Sequence, residues 1–373
     1  MGSSRLIKKI AMSRPIRSVL DIFIKHEQHD SLADPVEIGQ DVTVDWPRDL
    51  KKPLVGLIRD EYENVGDHSI CYWEKYRKFL KHNRIRYDFV DIDRRDWMDQ
   101  VKKFDMIIWH PHSDPATLAN AKSKIYFMEK HLGKICYPPY REMWYYEDKV
   151  RLAYLFELHD LPLVKTFITN DRKEAEEYVK TAKYPFISKI RTGAGSRGVE
   201  LIRDRKSAEK FVKEVFERGR ETYWSYIRQK GYVYFQEYVP DLEYDLRIIV
   251  VGNKYQGYYK MTPEKDFRAS GAGIIEKKDL PEEALDIARK VKDRLKANTL
   301  AVDMVYCEKE KKYRIIETSI FVQIRTTRQL IIDGIPGYYE FTDGEYVFKE
   351  GRFWTQEWTL EEVMNEWIRD HSK

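Results

Sequence analysis

Apolar positions along the chain come in short runs separated by polar segments. Leu54 to Ile58 is an unbroken apolar run of strand length, and a polar loop, Asp60 to Asp67, follows it. A helical pattern then runs to about Lys81, and residues 87–92 and 104–109 form the next two strand-like runs. Strands that alternate with helices predict an α/β unit with a parallel sheet. Ligands of such sheets sit at the carboxyl ends of the strands, so the loops Asp60–Asp67 and His110–Asp114 are candidate binding loops. No run reaches the roughly 18 apolar residues of a membrane span, so no transmembrane segment is expected.

The pattern continues with a helix over Tyr145–His159, a strand over Leu163–Ile168 and a helix over Arg172–Thr181, capped by Asn170 or Asp171. Residues 184–202 read as strand, glycine-rich turn, strand, and a helix is predicted over Ser207–Gly219. Residues 232–260 alternate in strand fashion, with Gly252-Asn253 as a hairpin turn. A helix over Pro281–Lys296 and strands over Ala301–Tyr306 and Tyr313–Thr318 follow. At the start, Arg5–His26 is basic and partly amphipathic, which suits a leading helix packed on the body, with a membrane-surface or partner-binding helix as the alternative. Residues 27–50 are polar and contain two prolines, which suits a linker. The expected division is an extension and linker over 1–50, a first α/β domain over 51–145, a lid subdomain over 146–235 and a catalytic subdomain over 236–373.

Composition narrows the function. The 66 basic and 62 acidic residues leave a net charge of only +4, which suits an anionic ligand such as a nucleotide. No basic stripe with interleaved aromatics stands out, so nucleic acid is not an expected partner. Cys71, Cys136 and Cys307 are too scattered for a disulfide framework or a metal motif, and buried thiols in a reducing cytoplasm are expected. The His110/His112 pair lacks an evident third ligand and reads as loop or pocket. The aromatic cluster from Tyr137 to Tyr146 reads as packing between domains.

Two stretches carry candidate chemistry. In Ser188–Val199 a lysine near a strand end runs into a turn with three glycines and a serine. Glycines let backbone N–H groups approach phosphate oxygens, and the lysine adds a point charge. A strand follows, so the loop is a hairpin over phosphates and not a P-loop. In the second stretch Asp303 and Glu317 each interrupt an apolar strand. A buried carboxylate is costly unless paired or bound to metal, and adjacent antiparallel strands could set both on one face, where they would suit Mg²⁺. Pairing to buried arginines is the alternative.

The order of these pieces over roughly residues 50–340 resembles the ATP-grasp superfamily, specifically ligases of the RimK and glutathione-synthetase kind. Asp148-Lys149 resembles its helix-borne entry, and Gln236-Glu237-Tyr238-Val239 its hinge. Asp245-Leu246-Arg247 is similar to its Asp-Ile-Arg element, and Asp266-Phe267-Arg268 to its Asp-Phe-Arg segment. The resemblance implies an ATP-grasp fold with a parallel-sheet first domain and a mobile lid. It implies a carboxylate–amine ligase that forms ADP through an acyl phosphate and uses ATP with Mg²⁺, or Mn²⁺ in its place.

By this resemblance Lys149 and Lys189 contact phosphates, and the loop with Gly195, Ser196 and Gly198 covers them. Gln236, Glu237 and Val239 read adenine, and Asp245 binds ribose. Arg268 stabilises the acyl phosphate, with Ser270 beside it on the nucleotide. Asp303, Glu317 and Ser319 hold metal, and Arg247, Arg325 and Arg328 face substrate. Ser319 stands where the family commonly has asparagine, and Ser270-Gly271-Ala272-Gly273 replaces a His-Arg-Gly-Gly run. Expected partners are a small-molecule carboxylate and an amine, and a homodimer is the commonest assembly. A sugar or polyol kinase on the same scaffold and a non-catalytic ATP-binding regulator are the rival readings.

Overall fold

The structure of the protein, a computed structural model, describes residues 39–59, 71–193, 198–263, 274–322 and 329–372. The first sheet is built from β1 (Val55–Ile58), β2 (Tyr87–Val90), β3 (Met106–Trp109) and β4 (Ile135–Tyr137), in the order β2-β1-β3-β4 and parallel throughout. The connections are α1 (Tyr72–His82), α2 (Trp97–Lys102) and α3 (Pro115–His131). Strands β1 and β3 are buried along their whole length, which explains their unbroken apolar runs. Two short helices, α4 (Tyr140–Tyr145) and α5 (Lys149–Leu158), lead out of this unit.

A second, antiparallel sheet has the order β5-β10-β6-β7: β5 (Thr166–Thr169), β6 (Phe186–Lys189), β7 (Val199–Ile202) and β10 (Val233–Glu237). Helices α6 (Arg172–Thr181) and α7 (Arg205–Phe216) pack Ala175, Val179, Phe211 and Val212 against Phe186 and Phe235. Asp171 caps α6 by accepting the Glu174 N–H at 2.9 Å. Between α7 and β10 lies a small ribbon of β8 (Arg220–Glu221) and β9 (Arg228–Gln229).

The third sheet is the largest. Its main path is β15-β14-β11-β12-β17-β16, and the strands are β11 (Tyr244–Val251), β12 (Lys254–Met261), β13 (Ile275–Glu276), β14 (Thr299–Cys307), β15 (Lys312–Ser319), β16 (Ile331–Ile332), β17 (Ile335–Thr342) and β18 (Glu345–Glu350). The expected hairpin at Gly252-Asn253 joins β11 to β12, with Gly252 at φ 56°. Helix α8 (Glu282–Leu295) buries Ala284, Leu285, Ala288 and Val291 on one face. On the other face α9 (Thr355–His371) covers the end of the sheet at Thr299 and Gln256, through Thr359 and Thr355.

Two features differ from the sequence reading. Residues 39–50, read as part of a linker, pack onto the body: Val42 and Val44 are buried, and Asn83 bonds both. The elements after residue 329 were not anticipated. Their signal was the pair of turns Asp333-Gly334 and Asp343-Gly344, where all four residues take positive φ as two-residue hairpins require.

Candidate active site

The register of the large sheet lines up a row of charged side chains. Asp303 on β14 stands opposite Arg247 on β11 and Glu317 on β15. Directly paired residues share a face, so all three project from one face, the one whose end at Thr299 is covered by α9. Lys260 on β12 pairs in register with Asp245, one step along the same face. Arg247 grips Asp303 with both arms, Nε to Oδ1 at 2.7 Å and Nη2 to Oδ2 at 2.6 Å. Lys260 Nζ lies 3.2 Å from Asp303 Oδ2 and 3.7 Å from Asp245. Burial alone would raise the Asp303 carboxyl, but Arg247 and Lys260 hold it well below the carboxylate range.

A bulge sets the position of Glu317. Counting back from the β14–β15 turn, a regular ladder would place Ile316 opposite Asp303 and turn Glu317 to the far face. The register slips by one between Asp303 and Met304, so Ile316 is the extra residue and Glu317 faces Asp303. The edge of β15 at this point is closed by the segment before β5, where Val164 N donates to Ile315 O at 2.9 Å and Ile315 N to Pro162 O at 2.8 Å.

Two lysines reach the row from the neighbouring elements. Lys149 opens α5, which Asp148 caps by accepting the Arg151 N–H at 3.1 Å. Its ammonium lies 2.8 Å from Glu317 and donates to Gly193 O at 2.5 Å. Lys189 ends β6, and its Nζ lies 3.5 Å from Ile316 O, the carbonyl of the extra residue. Burial pushes Lys189 down to about 8; the Glu317 charge opposes this and the Lys149 charge adds to it. Among the described residues Lys189 forms no ion pair with a carboxylate, whereas Lys149 does. Beyond Lys189 the chain turns back through Gly198 at φ 75°, whose carbonyl accepts the Ile190 N–H at 3.1 Å. A Cβ at Gly198 would meet Ile190 Cδ1 at 2.3 Å, so both conformation and space require glycine there.

A strand-end lysine before a glycine turn, a helix-borne Asp-Lys pair and two facing strand carboxylates have therefore converged. The model of the RimK-like ATP-grasp domain matches residues 146–334, which contain all of these groups.

The chain belongs to the RimK-like ATP-grasp family.

A curated relative, the alpha-aminoadipate–LysW ligase LysX of Saccharolobus solfataricus, is 29% identical over 185 residues. That stretch is 48% of this chain and 64% of that protein, so the match spans less than two thirds of the relative's length. Among solved structures, the ATP complex of D-alanine–D-alanine ligase from Bacillus anthracis superposes with a TM-score of 0.54 at 12% identity, covering 86% of this chain and 99% of that one. The D-cycloserine synthetase DcsG gives a TM-score of 0.53 at 15% identity, covering 74% and 94%. At these identities the likeness is one of fold.

Within this ATP-grasp frame the other predicted site residues are placed as follows. Gln236 is buried on β10 and donates to Thr166 Oγ1 at 3.0 Å. The Glu237 N–H donates to Lys165 O at 2.8 Å, and Val239 packs with Val164, Val305 and Cys307. Ser319 lies on the carboxylate face beside Ala301, but its hydroxyl donates to Phe321 O at 3.0 Å. Gly195, Ser196, Arg268, Ser270, Arg325 and Arg328 lie outside the described residues. The loop histidines serve packing: His110 stacks on Tyr72 at 3.7 Å and meets the edge of Phe321, and His112 Nδ1 accepts the Asp114 N–H at 3.2 Å. All three cysteines are buried.

The donor set bears on Mg²⁺. Among the described residues no group of three or more His, Cys, Asp or Glu converges as a ready-made metal cage. Two in-register carboxylates are nevertheless what Mg²⁺ takes from a protein when phosphates and waters supply the remaining ligands. Asp303 and Glu317 fit that role. Sequence reasoning missed Lys260, whose signal was a lysine between Tyr258-Tyr259 and Met261 in a strand-like run.

Proposed function

We propose that the chain is an ATP-dependent carboxylate–amine ligase that forms ADP through an acyl phosphate. The observation that carries this reading is Lys189, a buried cation with no carboxylate of its own among the described residues, set beside Lys149 and the Asp303/Glu317 pair. Buried charge needs a counter-charge, and a polyphosphate brings one.

Lys189 and Lys149 bind the phosphate chain of ATP, and the hairpin from Gly193 to Gly198 closes over it. Asp303 and Glu317 would hold Mg²⁺, which would supply positive charge to offset that of the phosphates. Gln236, Glu237 and Val239 line the base and Asp245 the ribose. An oxygen of the substrate carboxylate attacks the γ-phosphorus and ADP leaves. The amine then attacks the acyl carbon, and inorganic phosphate departs with the oxygen that made the attack. Arg268 steadies the charge on the transferring group, and Arg247, Arg325 and Arg328 face the substrates. No protein nucleophile is needed, so catalysis consists of positioning and charge stabilisation. Residues 51–145 serve as the first domain, 146–235 as the lid and 236–373 as the catalytic subdomain. Closure of the lid keeps water from the acyl phosphate.

The test follows ADP and inorganic phosphate separately, with Mg²⁺, across paired carboxylates and amines. Phosphate released only when both partners are present, and lost in Glu317→Ala, is the expected result. ADP without phosphate would identify a kinase acting on a hydroxyl. Tight ATP binding with no turnover for any pair would favour a regulator.

A further inference from the structure

The carboxylates of the charged row already have counter-charges from the protein. Asp303 is held by Arg247 and Lys260, Asp245 lies beside Lys260, and Glu317 has the Lys149 ammonium at 2.8 Å. A divalent cation arriving alone would therefore meet carboxylates whose charge is compensated, with Lys189 as a further cation close by.

Lys260 is the informative member. It sits on β12 and Asp303 on β14, with β11 between them. Neighbouring strands lie about 4.8 Å apart, so the backbones are separated by roughly 10 Å, and only a long side chain crosses that interval. Lys260 crosses it and brings Nζ to 3.2 Å from Asp303 Oδ2. Asp245 is its partner in register, one strand away, yet its carboxylate lies farther from Nζ, at 3.7 Å. The ammonium thus leans toward Asp303. A carboxylate offers about four acceptor positions. At Asp303 the Arg247 fork takes one on each oxygen, and Lys260 takes the second on Oδ2. That oxygen has none left for a metal. The two cations differ in how firmly they hold. Arg247 is a planar fork fixed by two bonds, whereas Lys260 makes a point contact from a flexible stem and can be given up.

We propose that Lys260 competes with a divalent cation for Asp303, so that metal binds weakly on its own and well only with a nucleotide, whose phosphates give the ammonium another partner. This rests on the reading that Asp303 and Glu317 would hold Mg²⁺ beside ATP, and it adds to that reading an order of binding set by one lysine.

The test titrates Mn²⁺ into the full chain and follows the free ion by electron paramagnetic resonance, with and without the non-hydrolysable analogue AMP-PNP. Lys260→Met removes the charge, Lys260→Gln removes it while keeping a polar group, and Lys260→Arg retains it. Without nucleotide, the Met and Gln variants should bind Mn²⁺ about tenfold more tightly than wild type, because one positive charge a few ångströms from the ion is gone. Lys260→Arg should stay near wild type, and adding Asp303→Asn to Lys260→Met should abolish the gain. The enhancement of Mn²⁺ affinity by AMP-PNP should be correspondingly larger in wild type than in Lys260→Met. A merely structural lysine would not tighten metal binding when removed. Equal nucleotide-free affinity in wild type and in both uncharged variants overturns the inference and leaves the metal assignment standing. Absence of Mn²⁺ binding in every variant, even with AMP-PNP, overturns the metal assignment and the inference with it.

Discussion

At the scale of single residues, two carboxylates were legible because burial in an apolar strand makes a lone carboxylate conspicuous. What satisfies each of them was not legible. Metal binding was the favoured reading from sequence and arginine pairing the alternative, and the register shows Asp303 already held by Arg247 and Lys260. The same residue can therefore hold the fold and present oxygens to a metal. Asp303→Ala would leave two cations facing each other without their carboxylate. The expected cost is roughly 2–4 kcal/mol, since stripping one member from a buried ion pair leaves the rest unpaired. Denaturant unfolding checks this, and Asp303→Asn should lose less because an amide oxygen still accepts from Arg247. Lys189 was legible as a strand-end lysine, but that it forms no ion pair with a carboxylate among the described residues emerged only from the packing.

At the scale of elements, the helices and the glycine hairpin followed from period and caps, as with Asp171 before α6 and Gly252-Asn253 between β11 and β12. The bulge at Ile316 did not. Strict alternation counted from the β14–β15 turn puts Glu317 on the wrong face, and the slip lies beside the backbone bonds that Pro162 and Val164 make to Ile315. Helix α4 offers a prediction of its own. Glu142 is buried there, accepting the Asn298 N–H at 3.2 Å, and its carboxyl is raised to about 8 by burial, which the Arg141 charge only partly opposes. A carboxyl whose folded pKa exceeds its unfolded value near 4.5 binds its proton more tightly in the native state. Stability from this group is thus complete below the unfolded pKa and is lost as pH rises from there through about 8. Glu142→Gln should melt at a higher temperature than wild type at the alkaline end, with the gap closing toward acid pH. A gap independent of pH would contradict this.

At the scale of the molecule, the linear order of motifs was the most informative reading, because the fold brings together groups from α5, β6, β11, β12, β14 and β15. Order along the chain could point to that convergence, but not to its geometry. The C-terminal strands and α9 were not read because no motif pointed to them and their turn signals went unused. They complete the large sheet and close one end of the face on which the charged row lies.

The most direct test of an acyl phosphate is the fate of the carboxylate oxygen. Once the screen of carboxylates and amines identifies a pair, the carboxylate is supplied with heavy oxygen and the released phosphate is examined by mass spectrometry. An acyl phosphate predicts one heavy oxygen in each phosphate formed. Phosphate free of label, with product still made, would contradict it.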